Sequence, residues 1–321
     1  MYDYIESRGV LDFVRGYQFE EIFVRLTACP SAESVVLAAN RNGSSDTVSF
    51  LEMSDTCLSQ KQQLEGSFDH VNALSCTSNE HCVVSDQNGV YLYSEAGSKI
   101  ASTQIAGCSG SRIMDGNKLS IIASASNTLH VMDLRSAESS TLRFKHLSSI
   151  RAIDVNPNRS HIVAVGCEDG KIVFCDIRKT SAGTNPIQIF DAHNHHVTDI
   201  MFNPLHDELV LSSGTDCSLN LWRCESSSSR IVDRPPSLIE NKRAPLSPVV
   251  NPSSTPTDSS FFDKHARILT LNNDDRLVSR IDRHNDTINS VCWSHASPWV
   301  FASVSNDGLV MINSVPKYIP S

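Results

Sequence analysis

The chain lacks the short signatures that usually betray chemistry. Its ten cysteines include no CxxC pair, so the commonest zinc and dithiol-redox spacings are missing. They stand singly, often inside apolar runs, as Cys167, Cys175 and Cys292 do. They read as reduced thiols that act as small hydrophobes. No phosphate-cradling GxxxxGKS/T loop and no GxSxG nucleophile elbow occurs. No apolar stretch approaches the ~20 residues that a membrane-spanning helix needs. Met1 to Gly16 carries Asp3, Glu6, Arg8 and Asp12 and has no apolar centre of a secretory signal. A cytosolic chain without a membrane span is expected. Positive charge is also short: 27 Lys and Arg stand against 36 Asp and Glu, a net −9. That balance argues against nucleic acid or an anionic membrane as the main partner.

What the chain does have is internal repetition. Three segments align without a gap, starting at His146 (HLSSIRAIDVNP), His193 (HNHHVTDIMFNP) and His284 (HNDTINSVCWSH). Four residues after each His stands Ile150, Val197 or Ile288, and seven after stands Ile153, Ile200 or Val291. Nine after stands Val155, Phe202 or Trp293. Each segment then reaches an Asp at one shared offset: Asp169, Asp216 or Asp307. A second apolar alternation follows that Asp in every case. Period-two alternation means strands with one buried face. Asn156-Pro157 and Asn203-Pro204 mark one turn; Asp169-Gly170 and Asp307-Gly308 mark a tight hairpin with positive φ.

The recurrent residues read as structural. His146, His193, His284, Asp169, Asp216 and Asp307, with Trp222 and Trp293, are the repeat positions. His193, His195 and His196 lie together and invite a metal site. The alignment instead gives His193 to the hydrogen bonding inside its repeat, with Asp199 or Asp216 as partner. Asp169, Asp216 and Asp307 recur at one place and read as turn formers rather than acids. No catalytic residue, metal or cofactor is expected.

These features resemble the WD-repeat family. Each His stands where that family has Gly-His, and its Trp-Asp pair appears worn, as Met132-Asp133, Cys175-Asp176, Trp222-Arg223 and Ile312-Asn313. The resemblance implies an all-β propeller. Six blades are recognisable, near 20–60, 66–98, 100–140, 145–182, 190–226 and 282–316. Residues 1–19 read as a lead-in and 20–319 as the propeller. Within it, the Ser/Pro-rich stretch 225–280 reads as a loop insertion. That stretch is long enough to hold a degenerate blade, and Arg267–Leu271 is its best strand candidate. Trp299, after Pro298 in a turn, reads as either a partner anchor or a core plug, with the core favoured.

The run Asp286–Ile319 narrows the resemblance. Trp293, Ser294, Pro298, Trp299, Phe301, Ala302 and Ser303, followed by Ile312, Asn313, Val315 and Pro316, are similar to the last blade of the EARP-interacting protein family. The resemblance implies a scaffold for the EARP and GARP vesicle-tethering complexes. It implies roles in endosomal recycling, retrograde trans-Golgi traffic and dense-core vesicle maturation, in the cytoplasm and peripherally at trans-Golgi network and recycling endosome. That family carries roughly one more blade before the segment resembling Phe23–Met53. The expectation is a propeller that lacks an N-terminal blade, or to which Met1–Tyr17 adds only a strand. Six blades are enough to close, but a missing seventh would leave two open edges. The alternative is a substrate receptor of a cullin-4 ubiquitin ligase, which carries D-x-R at adjacent repeat ends. Asp133 with Arg135 and Asp176 with Arg178 fit that pattern, and would offer two guanidinium groups to carboxylates.

Overall fold

A computed structural model describes residues 2–5, 10–13, 22–29, 35–54, 58–76, 81–115, 120–133, 141–178, 186–229, 275–294 and 297–316. Apart from one short 3-10 helix, every regular element among them is a strand. The strands form six antiparallel sheets of the kind expected for propeller blades, plus a two-stranded hairpin. They fall into two compact units, residues 1–145 and 146–321.

The first unit holds three blades. Blade 1 comprises Ile22–Ala28, Val35–Asn42, Ser45–Met53 and Leu58–Gln63. Blade 2 comprises Ala73–Cys76, His81–Ser85, Gly89–Ser94 and Lys99–Gln104. Blade 3 comprises Cys108–Asp115, Ser120–Ala125, Thr128–Asp133 and Thr141–Lys145. Tyr2–Ile5 also pairs with Val10–Phe13, so the lead-in carries a hairpin rather than one strand.

The second unit holds the other three. Blade 4 comprises Ile150–Val155, Ile162–Cys167, Lys171–Asp176 and Pro186–Asp191. Blade 5 comprises Val197–Phe202, Leu209–Gly214, Leu219–Arg223 and Arg276–Ile281. Blade 6 has three strands, Ile288–Trp293, Val300–Ser305 and Val310–Ser314.

The expected blades appear, but their ends move. Lys99–Gln104 closes blade 2 and Pro186–Asp191 closes blade 4, each beyond the sequence-based limit. The insertion expected over 225–280 is ordered at both margins: Glu225–Ser227 is the 3-10 helix, and Arg276–Ile281 is the fourth strand of blade 5. Arg267–Leu271 lies outside the described residues.

Apolar side chains show why the blades pack face to face. The second strands of blades 4 and 5 are buried along their whole length, since both of their faces meet neighbours. Phe174, Ile172, Ile162 and Ala164 of blade 4 share one core with Val197, Ile200, Phe202 and Trp222 of blade 5. Leu209, Leu211, Leu219 and Leu221 of blade 5 share another with Ile288, Val291, Trp293 and Phe301 of blade 6. In the first unit, Leu37, Val48 and Phe50 of blade 1 meet Leu74, Cys82 and Val84 of blade 2. Each fully buried large side chain contributes about 1.5–3 kcal/mol.

The contact between blades 4 and 5 leaves no slack at Gly166. A Cβ there would lie 2.5 Å from Val197 Cγ1. Gly166→Ala is therefore expected to destabilise by about 1–3 kcal/mol through overpacking. A denaturation midpoint equal to that of the parent would contradict this packing.

Candidate functional site

The repeat His and Asp positions build a buried clasp in blade 5. Trp222 Nε1 donates to Ser212 Oγ (2.9 Å), and that hydroxyl lies 2.8 Å from His193 Nε2. On the other side of the ring, Nδ1 lies 3.0 Å from Asp216 Oδ1. Asp216 also accepts from Ser218 Oγ (2.7 Å) and from the Asn194 N–H (3.0 Å). The chain of donors fixes the protons: indole to hydroxyl, hydroxyl to Nε2, Nδ1–H to carboxylate. Of the two partners expected for His193, Asp216 is the one observed. Asp199 serves the next blade instead, accepting from Ser290 Oγ and from the Val291 N–H. Gly214 makes room for the clasp, because a Cβ there would lie 2.6 Å from both His193 Nδ1 and Asp216 Oδ1.

The other repeats keep less of it. In blade 6, His284 Nδ1 meets Asp307 Oδ2 (3.2 Å) and Nε2 meets Ser303 Oγ (2.9 Å). Trp222 pairs across its strand with Val210, and Asn313 pairs in the same way with Phe301. Asn313 thus holds the Trp222 place, one residue later than the Ile312-Asn313 pairing drawn from the sequence. Its buried Nδ2 makes no hydrogen bond among the described residues.

In blade 4, Val165 and Cys167 stand where blade 5 has Ser212 and Gly214. Val165 cannot supply the hydroxyl that Ser212 gives His193, and His146 Nδ1 accepts the Ser148 N–H (3.1 Å). The full chain from Trp to Asp seen in blade 5 is therefore not repeated in blade 4 or blade 6, where Val165 and Asn313 replace two of its members.

The backbone just after the three Asp residues is left-handed. Gly170, Cys217 and Gly308, each just after its Asp, have φ of 81°, 61° and 79°. Trp222 and Trp293 are buried, at 6% and 5% exposed. Trp293 Nε1 donates to Met201 O (3.3 Å), and its ring meets Phe301 edge-on.

Burial by itself would raise the Asp216 pKa. The bonds from His193, Ser218 and Asn194 outweigh it and hold the carboxylate well below its usual range. Asp307 is held down to about 2, first by the Asn285 N–H, with further bonds from Leu309 N–H, His284 and Ser305. For Asp216, whose folded pKa lies below its unfolded value near 3.9, the stabilisation is complete above about pH 5. It is lost as pH falls through the folded value. Asp216→Asn is expected to flatten the fall in melting temperature between about pH 5 and pH 2. Acid limbs of equal slope in parent and variant would contradict this.

The three clustered histidines point apart. His193 is in the clasp, His196 Nδ1 donates to Glu168 O (2.6 Å), and His195 is exposed. Another trio was not legible in the sequence: His146, Cys167 and Asp169 place ring nitrogen, thiol and carboxylate within 4.8 Å of one another. Burial, with Asp169 beside it, pushes the Cys167 thiol up to about 12. A metal there would first have to remove that proton and then compete for His146.

Arg178 donates from Nε and Nη2 to Asp176 Oδ1 and Oδ2 (3.0 and 2.6 Å), forking onto its own motif partner. Asp133 ends the third strand of blade 3, and Arg135 lies outside the described residues.

Trp299, expected in the core, is 42% exposed. Its ring stacks on His206 (centroids 4.5 Å apart, planes 30° from parallel), beside Leu205, which is 64% exposed. Two loops hold this patch. Asn203 is fully buried; its Oδ1 accepts the N–H groups of Leu205 (3.0 Å) and His206 (2.9 Å), and its Nδ2 donates to Pro298 O (2.7 Å). The Val315 N–H donates to Trp299 O (2.7 Å). Asn156 makes the same turn in blade 4, with Oδ1 accepting from Asn158 and Arg159 and Nδ2 donating to Ser227 O. The Asn-Pro pairs are thus loop clamps, and in blade 5 the clamp presents an indole rigidly to solvent. A rigid, half-exposed Trp of this kind is a usual anchor in protein recognition.

A family model described as EIPR1 beta-propeller matches residues 3–222. The chain belongs to that family. A WD domain, G-beta repeat model matches residues 275–313 as well, which covers the last strand of blade 5 and blade 6. The family's curated relatives include the EARP-interacting protein homolog of Gekko japonicus, 31% identical over 54% of this chain and 40% of its own length. EARP and GARP complex-interacting protein 1 of Homo sapiens is 30% identical over 54% of this chain and 40% of its own length. EARP-interacting protein 1 of Caenorhabditis elegans is 29% identical over 63% and 49%. The chain spans less than half the length of these relatives. Among solved structures, a chain of "Crystal Structure of Mitotic Checkpoint Complex" superposes with a TM-score of 0.69 at 13% identity, over 98% of this chain and 84% of the other. That likeness shows the fold alone.

Proposed function

We propose that the chain is a non-catalytic scaffold that binds the EARP and GARP vesicle-tethering complexes. The observation that carries this reading is the family match over residues 3–222, among whose relatives are proteins named for interaction with those complexes. The geometry supports it: the recurrent His, Asp and Ser groups in blades 5 and 6 are spent on holding the blades, and the exposed Trp299 patch offers a contact surface. By this reading the protein acts in endosomal recycling, retrograde traffic to the trans-Golgi network and dense-core vesicle maturation. It is cytoplasmic and sits peripherally at those membranes through its protein partners. No helix among the described residues is long and apolar enough to cross a membrane. The cullin-4 receptor reading gains less support, because the guanidinium of Arg178 that would reach an acidic partner already forks onto Asp176.

The tagged chain, drawn from cell lysate and analysed by mass spectrometry, is expected to carry EARP or GARP subunits. Recovery of a cullin-4 adaptor without tethering subunits would overturn the assignment in favour of the ligase receptor.

A further inference from the structure

The contact between blades 1 and 2 contains a feature that scaffolding does not use. Cys29 directly follows the first strand of blade 1, and Cys76 ends the first strand of blade 2. Their Sγ atoms lie 3.5 Å apart, although 47 residues separate them in the chain. Cys29 is 7% exposed and Cys76 partly exposed. Arg25 Nε, in the first strand of blade 1, also donates to the carbonyl of Asn72, the residue just before the first strand of blade 2 (3.1 Å), so the approach of the two thiols is held by the packing of the blades. Cys82 is the cross-strand partner of Cys76 and is wholly buried.

We propose that Cys29 and Cys76 are a redox-modification site: peroxide converts them to a disulfide that staples blade 1 to blade 2, and thiol reductants reopen it. The chemistry of the two sulfurs is unequal in the required sense. The two sulfurs share a hydrogen bond, and this contact lowers the Cys29 pKa, against the opposing effect of burial. The same bond, with burial, raises Cys76. Cys29 is then the sulfur more readily ionised of the two, and the one that attacks. Its sulfur bonds to one oxygen of hydrogen peroxide, the O–O bond breaks, and hydroxide leaves and takes a proton to become water. The resulting sulfenic acid is met by Cys76. The S–S bond forms, the S–O bond breaks, and the Cys76 proton leaves with the second water. Two thiols lose two electrons and two protons, and peroxide is reduced to two waters. No outside thiol is needed, because the resolving sulfur is already in contact. Burial pushes the Cys82 and Cys175 thiols up to about 12, which disfavours either of them as the attacking thiolate.

The experiment treats the full chain with near-stoichiometric hydrogen peroxide, quenches free thiols with an alkylating agent, and reads intact mass and cross-linked peptides. The expected result is a loss of about 2 Da before alkylation and one linked pair joining the Cys29 and Cys76 peptides. Dithiothreitol reverses both. The oxidised parent is expected to melt about 5–10 °C above the reduced form, because the staple closes a long loop. Cys29→Ser and Cys76→Ser are expected to abolish the link and the shift, and Cys82→Ser to keep both. The mass readout on the parent chain does not depend on any variant folding. Sulfinic acid at Cys29 with Cys76 still free, a Cys76–Cys82 link, or no linked peptide at all would each overturn the proposal.

Discussion

His193→Ala is expected to lower stability by about 3 kcal/mol and the melting temperature by roughly 6–10 °C. The side chain is wholly buried and its Asp216 partner is 5% exposed. Its removal takes a charge-assisted donor from that carboxylate and strips Ser212 Oγ of the ring nitrogen beside it. The cost comes mainly from the groups left behind, since a buried carboxylate without its donor is far worse than no carboxylate at all. The repeats supply internal controls. His284→Ala is expected to shift the melting temperature less, because blade 6 already lacks the indole. His146→Ala is expected to shift it least, because blade 4 has Val165 where blade 5 has the Ser212 hydroxyl. A melting curve for His193→Ala that matches the parent would refute the clasp. Equal losses at all three positions would refute the ranking.

Trp299→Ala is expected to weaken the tethering-complex interaction by about 30-fold, or roughly 2 kcal/mol, as truncation of a central aromatic anchor does. The fold is expected to survive, with a melting temperature within about 2 °C of the parent, because a surface change away from the buried networks costs little. The loop clamp by Asn203 does not depend on the indole. Trp299→Phe, which keeps a ring over His206, should recover part of the affinity. Full binding by Trp299→Ala in a direct titration would place the docking surface elsewhere on the scaffold.

How much of this was legible in the sequence follows from which strands have two unlike faces. Ile150–Val155 and Val197–Phe202 alternate, and their partners Ile162–Cys167 and Leu209–Gly214 open on apolar runs, Ile162–Val165 and Leu209–Leu211, so the cores of blades 4 and 5 could be read directly. Fourth strands could not. Lys99–Gln104 is largely exposed and Arg276–Ile281 keeps no fully buried residue, so neither carries a strong apolar period. Offsets placed the recurring His and Asp correctly but hid the partners they need. Val165 in place of Ser212 is a small change in sequence, and it removes the hydroxyl that meets the imidazole in blade 5. The loss of Trp at Asn313 removed the landmark that sets the register, and the pair was read one residue early. Trp299 follows a proline in a turn, where no periodicity reports exposure. Cys29 and Cys76 meet only because two blades pack, which no local pattern encodes.

The most direct test of the central claim is a titration of the purified chain against purified EARP and GARP complexes, read by calorimetry. The account predicts saturable binding to at least one complex, weakened by Trp299→Ala and unchanged by a surface substitution such as Lys99→Ala. Absence of any saturable signal from a chain that melts cooperatively would contradict it.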